Sequence, residues 1–503
     1  MNLNDNLPDS WALTALDQVA YIEMGQSPDS RFYNAEGAGL PFFQGKAEFG
    51  IRFPEVRKWC SEPTKIAEAG DVLLSIRAPV GPTNIAQICS CIGRGLAAIR
   101  AEKGVNQLYL FYFFRHIESW LSEQGTGSTF AAISGQFVKQ IEFALAPTEE
   151  QSRIVEKLEE LFSDLDAGVA ELKAAQKKLA QYRQSLLKAA VEGSLTAEWR
   201  TQNTPKETGA QLLERILKER RTRWEEKQLA KFKEQGKTPP KGWQDKYPEP
   251  VQPDTTNLPE LPEGWVWASV DQICPDDIAN GKSVPTATSG PKVLRLTAVK
   301  AGRIDLDEFK YGVWSDRDAE PFFVKNGDVL IVRGNGSLSL VGRAGLVSGV
   351  ISDVAYPDTM IRVRVLDSIV LPAWLGLVWD SALIRNHLQT RARTSAGIYK
   401  IAQPDIISAI IPVPPFLEQK AIIVALDEAD REIQHIEGSL NLGLTQAAAQ
   451  RKNILKSAFS GQLVPQDPND EPASLLLERI RAERQKGESS TKKRSSRKKV
   501  AKL

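Results

Sequence analysis

The chain has 503 residues, enough for about three or four domains. Its 64 Lys and Arg against 63 Asp and Glu leave it nearly neutral, so net charge argues for neither a nucleic acid nor a membrane partner, and any basic surface must be balanced elsewhere. No apolar run is long enough to span a bilayer, the start "MNLNDNLPDS" is polar rather than a secretory signal, and four scattered cysteines (Cys60, Cys89, Cys91, Cys274) fit a reducing, cytoplasmic setting better than a disulfide framework.

Residues 1–147 read as a mixed, strand-rich domain. It opens with "LPDSWALTALDQV" (Leu7–Val19) and continues through short strands such as "DVLLSIRA" and "LAAIRA", punctuated by Gly, Pro, Asn and Asp. One helical stretch, "NQLYLFYFFRHIESWLSEQ", comes late. Its loops "GQSPDSRFYN", "PFFQGKAEFGIRF" and "AGDVLLSIRAPVG" set cationic and amide side chains beside glycines and aromatics: Gln26, Ser27, Gln44, Lys46, Arg52 and Arg77.

Residues 148–237 are helical. Leu158, Leu165, Leu172, Leu179 and Leu186 recur every seven residues, and Ile154, Leu161, Gly168, Ala175 and Tyr182 read as a second track. The helix ends at a Gly before a polar turn, and a shorter charged helix follows with "LLERI" at Leu212–Ile216. A Pro-rich stretch, 238–262, reads as a linker.

The pattern then returns. Residues 263–414 form a second mixed domain, after "LPEGW" at Leu261–Trp265 and with "NGDVLIVRG" answering "AGDVLLSIR". "PAWLGLVWDSALIRNHLQTRA" answers the helix of the first domain. Its candidate contact residues are Lys292, Arg295, Arg333, Asn335, Arg343, Arg393 and Lys400. Arg77 and Arg333 both follow a Gly-Asp strand and read as counterparts. Arg can donate two bonds to guanine, Gln and Asn suit adenine, and Gly lets a backbone approach phosphate. Residues 415–485 repeat the helices, with Leu426, Ile433, Leu440, Ala447 and Ile454 on one track and Ile422, Ala429, Ile436, Gly443 and Gln450 on the other. "LLERI" recurs at Leu476–Ile480. Gln151 answers Gln419 and Leu195 answers Leu463, both 268 residues apart (419 − 151 and 463 − 195), so neither helix has gained or lost a residue. Loops change length at little cost, so the constancy marks a rigid element, and a matched seam predicts two long helices packed antiparallel. The end, 486–503, reads as a basic disordered tail able to add nonspecific phosphate attraction.

Motifs for chemistry are missing. There is no GxxxxGK[ST] phosphate loop and no GxGxxG fingerprint. "VPPF" at Val413–Phe416 is like the [DN]PP[YF] of amino-methyltransferases, but Val413 cannot accept a hydrogen bond from an amino group, and the stretch reads as a turn before the second long helix. Neither the three isolated histidines nor Cys89 and Cys91 make a metal set.

The order of these parts resembles the specificity subunit of type I restriction–modification systems. The residues that carry the resemblance are the two "LPxxW" openings, "IEMGQSP" at Ile22–Pro28, "GLPFFQG" at Gly39–Gly45, "GDVLLSIRAPVG", the junctions "PTEEQ" and "PFLEQ", and the helix ends "LLKAAVEGSLT" and "ILKSAFSGQLV". The resemblance implies an α+β chain of two target-recognition domains separated by two long antiparallel conserved helices, an internal repeat with pseudo-two-fold arrangement. It implies that each domain reads half of a bipartite, asymmetric double-stranded DNA site. The helices set the spacer and dock two methyltransferase subunits, and restriction–translocase subunits join. It implies no catalysis by this chain: S-adenosylmethionine, ATP and magnesium belong to the partners. The rival reading is a coiled-coil scaffold with two protein-binding heads.

Overall fold

In a computed structural model, residues 7–125, 132–300, 302–349, 353–395 and 397–500 are described. The chain divides into two compact units, residues 1–174 with 440–503 and residues 175–439. Both mix strands with helices, so the chain is α+β. The two long helices, Thr148–Val191 and Phe416–Phe459, have 44 residues each. The first unit holds the first domain, the start of the first long helix and the end of the second. The second unit holds the remainder.

Within the first unit, strands Leu96–Ala101 and Val72–Ser75 form the middle of a four-stranded sheet, flanked by Ala20–Met24 and Thr83–Ile85. Five short strands make a second sheet, and Ala12–Ala15 pairs antiparallel with Glu142–Leu145. Helix Gln107–Gln124 starts where the Asn106 side chain accepts from the amides of Leu108 and Tyr109. Its Tyr109 and Phe113 pack edge-on to Phe143 and against Phe459 of the second long helix.

In the second unit, a six-stranded sheet centres on Val329–Val332 and Met360–Val363. Two three-stranded sheets and the pair Val266–Ser269 with Ile410–Val413 complete it. The single helix read over 372–392 is two helices here, Pro372–Trp379 and Ala382–Arg391. Asp380 and Ser381 break it, the residue types that compete for backbone bonds.

A buried acid–amide pair begins each long helix. Glu150 and Gln151 are buried in the first unit, Glu418 and Gln419 in the second. The Trp11 indole donates to Glu150 at 3.0 Å, and the Trp265 indole donates to Glu418 at 2.9 Å. Gln151 accepts from the Asn106 amide (2.7 Å) and donates to the Ala146 carbonyl (2.8 Å). Gln419 accepts from Leu371 (2.8 Å) and donates to the carbonyls of Pro414 (3.1 Å) and Ile369 (3.2 Å). The "LPxxW" and "EQ" motifs are thus two halves of one fastening. The helices end alike at Gly193 and Gly461, with φ of 75° and 70°, the left-handed region in which Gly has no Cβ penalty.

The two long helices run antiparallel. In the first unit Arg451 pairs with Asp166 and lies 4.6 Å over the Phe162 ring, and Leu172 packs against Gly443, where a Cβ would come within 3.2 Å. In the second unit Arg183 reaches Asp430 at 3.1 Å and Glu437 at 3.3 Å. Leu158, Ile433 and Ile454 are buried, and Leu165, Leu172, Leu179, Leu186, Leu426 and Leu440 are half-buried. The second track is kept at Ile154 and Ile422, which are buried, and at Gly443, which meets Leu172, but not at Tyr182 and Ile436. Tyr182 and Ile436 are 53% and 45% exposed. Phe162, Val169, Gln176, Arg183 and Ala190 take that position in the first helix, and Glu437, Leu444, Arg451 and Ala458 in the second. Counting apolar residues misses this track, because long polar side chains bury their stems while keeping their heads wet.

A shorter helix clasps each domain. In the first unit, helix Ala473–Val500 sends Arg484 to Glu102 (2.7 Å) and to the Asp17 carbonyl. In the second, helix Gly209–Glu234 sends Arg220 to Asp271 at 2.9 Å. The end of the chain differs from the disordered tail expected of its sequence. The final helix continues through the stretch taken as a disordered tail, up to Val500; residues 501–503 lie outside the described residues. Its Lys, Arg, Glu and Ser residues contain no Pro to stop it. The 238–262 stretch packs on its neighbours: Trp243 stacks on Trp224, and Ser269 donates to the Val251 carbonyl at 2.6 Å. Its aromatic residues supply the burial that a Pro-rich spacer lacks.

Gln419→Ala would strand a buried amide and two carbonyls. We expect it to lower unfolding free energy by about 2–3 kcal/mol, and Gln151→Ala to act similarly. Urea unfolding followed by circular dichroism checks this; a loss below about 0.5 kcal/mol, the low end for a single hydrogen bond, would show that the fastening contributes little.

Candidate nucleic-acid interface

Three loops of the first unit converge so closely that only glycine fits. A Cβ at Gly25 would lie 2.2 Å from the Gly93 carbonyl oxygen, and one at Gly95 would lie 2.2 Å from that of Gln44. Backbone bonds lock the contact: Gln26 donates to Ile92 (3.0 Å), Gly93 to Phe43 (2.8 Å) and Ile76 to Gly95 (2.9 Å). Gln26, Gln44, Lys46 and Arg94 are exposed on these loops. The half-buried Ser27 hydroxyl accepts from the Arg94 amide at 3.3 Å. Arg77 is exposed one residue beyond the Ile76 contact and bridges the backbone of Ala132. The structure therefore brings five of the six candidates of this domain to one region. Arg94, which the sequence reading passed over, joins them; its flanking glycines were the available signal.

Arg52 is the exception. Its guanidinium pairs with Glu159 of the first long helix at 3.0 Å, and the same carboxylate accepts from Tyr112 at 2.6 Å. It braces the domain on the helix through Nη1, and its Nε is buried.

In the second unit a three-stranded sheet collects most of the candidates. Gly334–Asn335 pairs with Ile398–Lys400, which pairs with Arg393–Ser395. Asn335, Arg393 and Lys400 lie on it, and Arg333 enters it with its amide on Thr359 at 2.8 Å. Arg343 is adjacent, since its carbonyl accepts from Val332 at 2.8 Å. Arg333 and Asn335 are half-buried; Arg343, Arg393 and Lys400 are exposed. Lys292 and Arg295 stand apart on strand Thr286–Leu294 and the turn after it. Lys292 lies 4.7 Å over the Phe309 ring, and Arg295 donates to the Phe309 carbonyl at 3.0 Å.

Arg77 and Arg333 are not counterparts. Counting from the Gly-Asp aspartates, Arg77 is the sixth residue (77 − 71) and Arg333 the fifth (333 − 328). One residue in a strand reverses the side chain. The backbone agrees: Ile133 donates to Ile76, and Ile401 donates to Arg333. The match of Arg77 is Gly334, and that of Ala132 is Lys400. A cation sits at the same bridge in both domains but on opposite strands: Arg77 in one, Lys400 in the other.

The Gly-Asp motifs have a different job. Asp71 and Asp328 are buried, and each takes two bonds from an arginine on a neighbouring strand: Arg100 (2.8 Å and 2.8 Å) and Arg364 (2.6 Å and 2.8 Å). These bonds raise the pKa of both guanidiniums. Among the described residues no group of three or more His, Cys, Asp or Glu is placed to hold a metal, and no helix is long and apolar enough to cross a membrane.

Residues 8–174 match the family model described as the type I restriction modification DNA specificity domain. The chain is 41% identical over 155 residues to the putative type I restriction enzyme MjaX specificity subunit of Methanocaldococcus jannaschii, a match covering 30% of this chain and 36% of that one. It is 26% identical to the type I restriction enzyme EcoKI specificity subunit of Escherichia coli, covering 82% and 78%. With the EcoDI specificity subunit of Escherichia coli the identity is 25%, over 98% of this chain and 99% of that one.

In the assembly that binds duplex DNA, we expect Arg77→Ala and Arg94→Ala each to weaken binding by about 1–3 kcal/mol. Arg52→Ala should leave affinity for DNA unchanged and lower the melting temperature instead. Fluorescence anisotropy beside thermal melts separates the two; full affinity in both the Arg77 and Arg94 variants would remove these loops from the interface.

Proposed function

We propose that this chain, which belongs to the specificity subunits of type I restriction–modification systems, reads a bipartite DNA site with one half assigned to each unit. The observation that carries this is the exposed donor cluster in each unit: Gln26, Gln44, Lys46, Arg77 and Arg94 in the first, Arg343, Arg393 and Lys400 in the second. Each stands on loops or a small sheet, outside a frame that the two units share. The Trp, Glu and Gln of the helix fastening and the Asp–Arg pairs of the central strands recur in both units, while the donors differ in identity and in strand. Two readers on one scaffold, tuned to different half-sites, require that division.

Duplex DNA is the substrate class, and partner subunits carry the chemistry. Methyltransferase subunits dock on the paired helices and use S-adenosylmethionine to methylate adenine. Restriction–translocase subunits join with ATP and magnesium. The chain itself positions them. Its own contribution is selection: donors held on a rigid frame discriminate base edges at about 1–3 kcal/mol per good bidentate contact.

The long helices set the spacer between the half-sites. Inserting one heptad in both helices, after Ala175 and after Gly443, keeps the seam in phase and adds about 10.5 Å at ~1.5 Å per residue. DNA rises ~3.4 Å per base pair, so the methylated motif should gain about three base pairs of spacer. Sequencing methylated DNA from cells carrying the assembled variant reads this out. A folded, active variant with an unchanged spacer would refute the helices' part in the proposal. Methyl transfer by the purified chain alone would refute its non-catalytic part.

A further inference from the structure

Arg343 and Arg385 of the second unit are held together with no carboxylate between them. Both guanidiniums donate to one acceptor, the Ser339 carbonyl: Arg343 through Nε at 3.3 Å and Arg385 through Nη2 at 2.9 Å. Among the described residues neither has an ion pair. Their backbones are pinned. Gly342 donates to Val332 at 2.8 Å, its carbonyl accepts from the buried Trp379 indole at 2.9 Å, and its φ is 73°. A Cβ there would meet Leu388 at 2.8 Å and Arg385 Nη1 at 3.3 Å, so the turn carrying Arg343 lies directly against the helix carrying Arg385. Arg385 Nη1 is buried without a partner.

That arrangement is costly. Two like charges repel, and one buried N–H lacks an acceptor. The nearby acid is Asp380, in the break between the two helices. Burial raises its pKa against the pull of Arg385 and Arg343, and it makes no ion pair with either among the described residues. Burial likewise lowers the pKa of Arg385; Asp380 opposes this and Arg343 adds to it. A site of this kind is completed by an anion from outside. The exposed Ser337 and Ser339 hydroxyls, 2.9 Å apart, add neutral donors beside the guanidiniums.

We propose that Arg343 and Arg385 clamp one backbone phosphate of the DNA bound by the second unit, so that Arg343 positions the duplex and reads no base. The clamp rests on the function proposed above. A guanidinium held at Nε or at one Nη by a carbonyl still has donors for phosphate oxygens, and a dry neighbourhood strengthens the bond. Arg333, Arg393 and Lys400 remain as the group from which bases are read.

The test uses the assembled methyltransferase complex with Arg343→Ala, Arg385→Gln and the double variant. The Gln keeps bulk and donors at the half-buried site, and melting temperatures confirm folding. Binding to a duplex with the methylated motif and to a random duplex is measured from 50 to 200 mM salt. The clamp requires both affinities to fall by the same factor, about tenfold, with the slope of log K against log salt shallower by about 0.9 and the methylated motif unchanged. A motif relaxed at one position would overturn it, because Arg343 would then read a base. Unchanged affinity and slope in the folded double variant would also overturn it. If the wild-type complex shows no preference for any duplex, the functional reading fails before the clamp is tested.

Discussion

The buried carboxylate and amide in the first turn of each long helix are the constraint on which the rest depends. A charged group is rarely tolerated at such depth, and here it is met by a tryptophan indole from the opening strand of its own domain. The adjacent glutamine spans from the start of the long helix to the backbone where the domain's own helix begins. Start of domain, end of domain and start of helix are thereby joined at one point. The two units solve the charge differently. Glu418 also accepts from Thr196 at 2.7 Å and is paired with Arg200, so it has a cation. Glu150 has Gln466 at 2.6 Å in place of that arginine, and burial raises its pKa against these bonds. A group bound more tightly to its proton in the folded state contributes stability at low pH and loses it as pH rises through its folded value.

With the frame held this way, the recognition surface is free to diverge. Asp71 with Arg100 and Asp328 with Arg364 fix the central strands equally in both domains. Ile133 on Ile76 and Ile401 on Arg333 fix the edge beyond them. What projects past that edge is unconstrained by packing, so a cation can pass from one strand to its neighbour, as between Arg77 and Lys400, without disturbing the core.

The parts legible in the sequence are those repeated at constant length. Helix extents, antiparallel pairing and the two-domain order all follow from one 268-residue offset and a leucine every seventh position. The second track of the seam was illegible because it runs through Arg183, Glu437 and Arg451, which a hydrophobic count discards. The parity of Arg77 and Arg333 is hidden at the level of motifs: both close a Gly-Asp strand, but they stand six and five residues after its aspartate, and a strand turns over at each step. Arg94 and Arg385 were missed for another reason. Each is given its place by a contact distant in the chain, Ser27 for the first and Ser339 for the second; only Arg94 has a local signal, its flanking glycines.

Partner type sorts the arginines. Arg52, Arg100, Arg200, Arg220 and Arg364 meet carboxylates at a helix or strand of the frame, and their charge is spent locally. Arg295, Arg333, Arg343 and Arg385 meet only backbone carbonyls. A carbonyl fixes the direction of a guanidinium but leaves its unit charge intact. That distinction resolves how a chain with a net charge of +1 can present basic surfaces.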